Sequence, residues 1–318
     1  MKRIRENAKF IKRAAGTPLI AVVKDDAYGH GAERVALALS GIAEMFAVAT
    51  VDEGAALRVA GVEEDILVLT PPLSKEEVLR ISAYNMIAPM TSFFVLKTAL
   101  AAVGEYGVDL RVHLCANTGM NRYGFLPALF GEAIKRAAPL KVEGVYSHLY
   151  LPTARERADE QVRLFEEAVR QVKAVYPAAV SHLAATGGIL AGVKADMARA
   201  GLALYGYHPS GGALDGGKPA IRLYATVAHG GKTIGGGLGY GLNEENAERA
   251  HTLRIGYGDG LFRAGKLCMD ATVEGGYLAP GRRKRVLKDL SAYAKENNTT
   301  EYEVLVNVTK KAEFNYDE

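Results

Sequence analysis

One lysine in this sequence stands where chemistry is easiest to arrange. The run Leu19-Ile20-Ala21-Val22-Val23 is continuously apolar, ends on Lys24, and passes through Asp25-Asp26-Ala27-Tyr28 into Gly29-His30-Gly31. An apolar run of this length reads as a parallel strand covered on both faces, and the glycines let the chain turn into a helix. A lysine at the C-terminal end of such a strand is delivered to the functional face of an α/β barrel. Desolvated there, its free amine can attack a carbonyl carbon and form a Schiff base. The competing reading is a lysine whose stem lies along the strand end while its ammonium reaches water.

The elements that would hold Lys24 follow from periodicity. Ile4, Ala8, Ile11 and Ala15 recur at helical spacing and stop at Gly16-Thr17-Pro18, placing one amphipathic helix with a solvated basic face before the strand. Seven further apolar runs come next: 46–50, 66–69, 86–89, 110–114, 142–147, 180–183 and 197–204. Helix-period segments at 32–39, 75–84, 94–103 and 158–175 lie between them. Eight strands alternating with helices over about 200 residues predict a TIM (β/α)8 barrel in preference to an open doubly wound sheet. No Gly-x-Gly-x-x-Gly follows the first strand, so nothing points to a dinucleotide. The texture changes at the glycine-rich stretch 210–217, read as a linker between a barrel at 1–209 and a smaller β-rich domain at 218–318. In that second domain the expected strands are 221–228, 252–257 and 304–308, with one helix at 285–295.

Composition narrows the function classes. The 318 residues are 49% hydrophobic and 24% charged, a globular balance, and 39 basic against 36 acidic residues leave a net charge of +3. No basic cluster is interleaved with aromatics, so nucleic acid is not an expected partner, and Arg282-Arg283-Lys284-Arg285 reads as a solvated loop. No apolar stretch reaches the roughly 18 residues of a membrane span, and no signal peptide is read at the N-terminus. Two cysteines, Cys115 and Cys268, make no disulfide framework, which suggests a cytoplasmic protein. No metal site is expected.

Longer motifs give these residues a context. Ala21-Val22-Val23-Lys24 followed by Ala27-Tyr28-Gly29-His30-Gly31 resembles the cofactor attachment motif of bacterial alanine racemases, in which the lysine carries pyridoxal 5'-phosphate (PLP) and the tyrosine, here Tyr28, contacts its phosphate. Asp25-Asp26 departs from the usual Ala-Asn. His113 to Gly124 is similar to the family segment ending in Thr-Gly-Met-x-Arg-x-Gly, which implies that Arg122 holds the substrate carboxylate. The planar fork of arginine suits that task. In Glu143-Gly144-Val145-Tyr146-Ser147-His148 the matched His148 lies beside the cofactor ring. Ser181-His182-Leu183-Ala184-Ala185-Thr186 resembles the segment whose histidine, here His182, supports a catalytic tyrosine and whose hydroxyl residue, here Thr186, binds phosphate. Met197 to Gly206 matches the segment whose arginine, Arg199, faces the pyridine nitrogen, with the Gly201 and Leu202 amides on the phosphate.

The resemblance extends into the second domain. Gly239-Tyr240-Gly241 is similar to the family's Tyr-Gly pair, which implies that Tyr240 is the second base, reaching the pocket of the opposite subunit of a head-to-tail homodimer. Gly256-Tyr257-Gly258-Asp259-Gly260 and Cys268-Met269-Asp270 resemble segments at the substrate entrance, which assigns Tyr257 and Met269 to substrate and Asp270 to a supporting role. The sequence also departs from the family. Cys115 stands where many members carry a carbamylated lysine that braces the substrate arginine, and Asn117 or a chloride is the expected substitute. A hairpin usual in the family is shortened to 261–266, and Lys310 lies nearest the position of a phosphate-binding tyrosine. Family members usually begin with an additional strand before the first helix; no counterpart is read here.

The implied activity is PLP-dependent interconversion of L- and D-alanine by two bases, Lys24 and Tyr240, supplying D-alanine for the cell wall. Alternatives are a serine or broad-specificity racemase, a PLP amino-acid decarboxylase, and a non-catalytic PLP-binding barrel. The barrel-only alternative is disfavoured by the residues beyond 217, which include Tyr240.

Overall fold

The computed structural model describes residues 1–152, 154–232, 234, 248–262, 272–274, 278–313 and 315–316. Eight short strands build its centre: β1 Leu19–Val22, β2 Met45–Val48, β3 Asp65–Val68, β4 Ile87–Met90, β5 Arg111–Cys115, β6 Lys141–Tyr146, β7 Val180–His182 and β8 Ala198–Ala200. All neighbours are parallel, in the order β7-β6-β5-β4-β3-β2-β1-β8. A parallel bridge between His182 and Met197 joins the two ends of that order, so the sheet closes on itself. These strands are almost wholly apolar because helices cover their outer faces and packed side chains fill the interior. The fold is the expected TIM barrel. Each of the eight expected strands forms, seven of them within a residue or two of their expected ends; the eighth, expected at 197–204, stops at Ala200, and Leu202–Tyr205 is a 3-10 helix instead.

The first helix, α1 Lys2–Ala15, buries Ile4, Ala8, Ile11 and Ala15 and ends on Gly16 in the left-handed conformation. Its basic face is not merely solvated. Arg3 donates to the Pro219 carbonyl at 2.7 Å, Arg5 to that of Ala38 at 2.9 Å and Lys12 to that of Ile42 at 2.7 Å.

A four-stranded antiparallel sheet follows, in the order β11-β10-β9-β12, made of β9 Leu223–Lys232, β10 Arg249–Leu253, β11 Thr272–Glu274 and β12 Arg283–Val286. The strand expected at 252–257 lies earlier, at Arg249–Leu253, with Tyr257 in a 3-10 turn, and three further expectations fail here. The run 282–285 is not a loop: Arg283, Lys284 and Arg285 lie in β12, paired with β9 at the sheet margin, where charged side chains discourage further strand pairing. The helix expected at 285–295 begins later, as Leu290–Glu296, because the Asp289 side chain caps it by accepting from the Ala292 amide. Finally, 304–308 is not a strand but the inside of a helix, Glu301–Thr309, capped by Thr300 through the Glu303 amide. This last helix packs on the turn that follows β1: at Gly29, with φ +73°, a Cβ would lie 1.9 Å from Thr309 Oγ1 and 2.9 Å from the Leu305 carbonyl oxygen. Only glycine allows that approach.

Candidate active site

Lys24 leaves β1 at its C-terminal end and enters an unusual turn. Asp25, Asp26, Ala27 and Tyr28 all have φ between 52° and 55°, so four consecutive L-residues wind left-handed. Each such residue costs roughly 1–2 kcal/mol, and neighbouring contacts hold the turn in place. The Glu53 carboxylate accepts from the Asp25 amide at 2.7 Å, and the Asp26 carboxylate from the Ala32 amide at 2.7 Å. His30 Nδ1 lies 3.1 and 3.0 Å from the Ala27 and Tyr28 carbonyls. Tyr205 stacks against both Tyr28, at 4.8 Å, and His30, at 4.5 Å. The effect is to point Lys24 and Tyr28 into the barrel mouth.

A cavity of about 400 Å³ opens there. Lys24, Tyr28, Arg122, His148, Thr186 and Arg199 line it, with Asn117, Gly201 and Leu202. The barrel residues singled out from sequence therefore meet at one place, apart from His182. At Gly201 a Cβ would sit 2.3 Å from the Tyr28 hydroxyl oxygen, so the absence of a side chain is what lets that phenol approach the turn after β8. Thr186 begins a short helix, and its hydroxyl accepts from the Ala203 amide at 3.4 Å.

Arg199 is the buried charge of the site, 4% exposed on β8. Its Nη1 donates to His182 Nδ1 at 2.5 Å and to the His182 carbonyl at 2.9 Å. Nη2 donates to the Ser147 and Leu183 carbonyls at 2.6 and 2.9 Å, with His148 Nδ1 at 3.3 Å. Nε–H is left as the donor that these contacts do not engage. Burial lowers its pKa to about 10, so the guanidinium stays charged at neutral pH.

The structure gives His182 a different task from the expected one. It is fully buried behind the cavity wall, with Nδ1 taken by Arg199 and Nε2 at 2.9 Å from His113 Nδ1, so neither nitrogen is available to a tyrosine in the pocket. His148 is the histidine that faces the cavity. Nor does Asn117 brace Arg122. Its Oδ1 accepts from the Gly119 and Asn121 amides at 3.1 and 3.3 Å and its Nδ2 donates to Asn121 Oδ1 at 3.1 Å, which closes the loop locally. Arg122 itself is exposed, over the Tyr123 ring at 5.6 Å. Burial pushes the Cys115 thiol up to about 11, so it is neutral, and no thiolate offsets the arginine. Turnover is accordingly expected to be indifferent to bicarbonate, raised by chloride near Arg122, and tolerant of Cys115→Ala; activity that falls on removing carbon dioxide and returns with bicarbonate would contradict this.

Tyr257 is about half exposed in a 3-10 turn and is not among the residues lining this cavity. Lys310 is also directed away, with Nζ at 3.1 Å from Asn307 Oδ1 on the exposed end of its helix. Tyr240, Met269 and Asp270 lie outside the described residues.

Sequence reasoning missed Tyr302 as a site residue. From helix Glu301–Thr309 its ring packs edge-on to Tyr28 at 4.6 Å and lies 5.1 Å from Lys24 Nζ, and its hydroxyl donates to Asp25. Asp25 Oδ2 is in turn 3.6 Å from Lys24 Nζ. Asp25 is itself a departure from the family motif, and that departure was the available signal.

Three histidines, His30, His113 and His182, are buried, His148 is half-buried at the cavity, and all four are neutral. Burial lowers the pKa of His30 to about 4 and those of His113 and His148 to about 3, and holds that of His182 well down. The unfolded chain takes up protons on these rings below about pH 6.5 while the folded chain does not. Stability is therefore lost as pH falls below about 6.5, at up to roughly 1.4 kcal/mol per pH unit for each histidine. Urea unfolding at pH 7.5 and pH 5 should show a clearly lower midpoint at pH 5, a range in which carboxylates contribute little; equal midpoints would refute the assignment.

Comparison with known proteins agrees with this geometry. The family described as "Alanine racemase, N-terminal domain" matches residues 1–209. The chain belongs to the alanine racemase family. As a member it is an amino-acid racemase. It is 34% identical over 283 residues to the alanine racemase of Nostoc sp. (strain PCC 7120 / SAG 25.82 / UTEX 2576), covering 83% of this chain and 73% of that protein. To that of Aquifex aeolicus (strain VF5) it is 30% identical over 343 residues, covering 98% and 95%. Among solved structures, alanine racemase from E. faecalis superposes with a TM-score of 0.80 at 28% identity, covering 96% of this chain and 94% of that one. The biosynthetic alanine racemase from Pseudomonas aeruginosa gives 0.84 at 24% identity, covering 100% and 97%, a likeness of fold.

Proposed function

We propose that this racemase uses PLP to interconvert L- and D-alanine, with Lys24 and Tyr240 as the two bases. The observation that carries the reading is that the Lys24 amine and the charged Arg199 face one cavity of about 400 Å³ beside the Tyr28 hydroxyl. The residues present fit the cofactor. Lys24 presents its primary amine at the mouth of the barrel, the Tyr28 phenol sits on the Gly201 turn where a phosphate would be received, and Nε–H of Arg199 remains to meet a ring nitrogen.

Bound PLP supplies an electron sink for the negative charge left when the substrate Cα loses its proton. Lys24 would hold or give the proton on one face of Cα at Nζ, and Tyr240 on the other at its phenolic oxygen. Arg122 would clamp the substrate carboxylate through its two-pronged fork. Arg199, charged and unable to accept a proton, would disfavour protonation of a ring nitrogen held at its Nε–H and so weaken that sink. Arg199 would in this way favour prompt return of the proton to Cα over its transfer elsewhere, which suits racemisation.

The same reading includes a head-to-tail homodimer in which Tyr240 and the exposed Tyr257 serve the partner's pocket, a barrel at 1–209 joined through 210–217 to the second domain, and a cytoplasmic role in supplying D-alanine for peptidoglycan. No helix among the described residues is long and apolar enough to cross a membrane. The test is to reduce the loaded protein with borohydride and map the fixed cofactor, alongside chiral analysis with L-alanine and L-serine. Label on Lys24 and D-alanine as the major product are expected; label on another lysine, or no D-amino acid, would overturn the proposal.

A further inference from the structure

We propose that His113 is a positioning residue for Arg199: it holds His182 in the tautomer whose Nδ1 accepts from the guanidinium. The inference rests on the reading of Arg199 as the residue at the cofactor ring. It starts from donor and acceptor counting. Arginine has donors only, so the 2.5 Å contact between Arg199 Nη1 and His182 Nδ1 requires a lone pair on that nitrogen. The proton of a neutral His182 is then on Nε2, which lies 2.9 Å from His113 Nδ1. That nitrogen must accept as well. The His113 proton is thereby fixed on Nε2, where the ring meets the backbone of Gly144.

The end of this chain is the informative part. His113 Nε2 is buried with no hydrogen-bond partner among the described residues. A Cβ at position 144 would lie 2.6 Å from it, so glycine is what makes room for the imidazole. The ladder between β5 and β6 shifts register between Val112 and His113, a bulge that re-aims the side chain at this point. A barrel selected for stability alone would place an apolar residue at 113 and avoid an unsatisfied donor. What the histidine adds is the acceptor at Nδ1. Without it, a His182 proton kept on Nε2 for Arg199 is a buried donor with no acceptor, and moving it to Nδ1 sets N–H against N–H at Arg199.

Neighbouring contacts leave His182 little other freedom. Tyr146 stacks on its ring at 5.2 Å, nearly parallel, and Arg199 lies 5.9 Å from the Tyr146 ring. The ring plane is therefore set by packing, and only the position of its proton is left for His113 to decide. Sequence separation hides this pair, since the two histidines are 69 positions apart.

The experiment compares His113→Asn with His113→Leu in the full chain. The asparagine carbonyl oxygen can stand in for Nδ1 as acceptor, whereas leucine has none. Nitrogen-15 NMR of labelled histidines, with and without bound PLP, should show the wild-type His182 proton on Nε2, retained in the Asn variant and redistributed in the Leu variant. In the loaded enzyme kcat should fall about tenfold in the Leu variant with KM for alanine little changed, and be largely kept with Asn. A wild-type His182 carrying its proton on Nδ1, or Asn and Leu variants with the same tautomer, would overturn the proposal. If the Leu variant does not fold, the tautomers of the wild type and the Asn variant still decide. The spectrum of the cofactor-free chain also separates failure of this inference from failure of the PLP reading.

Discussion

Lys24→Ala chains are expected to lose racemase activity by at least about 10³-fold, the scale of removing a nucleophile that also serves as a base. Among the described residues lining the cavity no other group can replace it, since the remaining nitrogen bases and cations there have other tasks. His148 is kept neutral by burial with a pKa of about 3, and the guanidinium of Arg199 holds its protons. Tyr240→Phe should be inactive for the other proton. If the two bases of one pocket come from different subunits, a heterodimer of Lys24→Ala and Tyr240→Phe chains has one site with both native residues and one with neither. About half of the wild-type activity should then return in the isolated heterodimer. A confirmed heterodimer that stays inactive would rule out the shared site while leaving the role of Lys24 intact.

Arg199→Gln should lower kcat by roughly 10²- to 10³-fold, as expected when a buried, preorganised charge is removed from a reacting centre. A glutamine amide can reach His182 or one carbonyl. It cannot span the Ser147, Leu183 and His182 carbonyls together, which Arg199 bridges at 2.6–2.9 Å. The more diagnostic change is in the products. With no permanent positive charge beside it, a ring nitrogen held there could be protonated, so more substrate should leave as pyruvate, its amino group left on the cofactor, per molecule of D-alanine formed. Pyruvate measured by a coupled reductase, against chiral analysis of alanine, gives that ratio; an unchanged ratio would show that Arg199 does not govern the sink.

How much of this was legible in the sequence depends on the range of the interaction that decides each feature. The barrel strands were readable because burial on both faces leaves a continuous apolar run, a local signal. Lys24, Arg122 and Arg199 were readable through motifs around strand ends. Within the helix Glu301–Thr309, Val304, Val306 and Val308 alternate as in a strand, although Thr300 and Glu303 at capping spacing announce a helix start. The charged run at 282–285 reads as a loop because its charge is visible locally and its pairing is not. Its partner strand β9 lies about sixty residues earlier, and only the register of Arg283 with Thr226 shows the pairing. The roles of His182 and Asn117 were beyond reach for the same reason. Which atoms their nitrogens and oxygens meet is settled by the closed barrel in one case and by the fold of a loop in the other.

The left-handed turn at 25–28 has a consequence for how portable this site is. Wound against the preference of every residue in it, the turn lasts only while outside contacts oppose its relaxation, and several of these come from far along the chain. Tyr205 stacks beneath it, Tyr302 reaches its first residue, and Thr309 closes on Gly29. A barrel cut away from helix Glu301–Thr309 would keep Arg199 and its histidines but lose part of the frame that aims Lys24. The reactive amine thus belongs to no single module, and grafting the barrel alone onto another protein would transplant a ring-binding wall without the orientation of the group meant to react there.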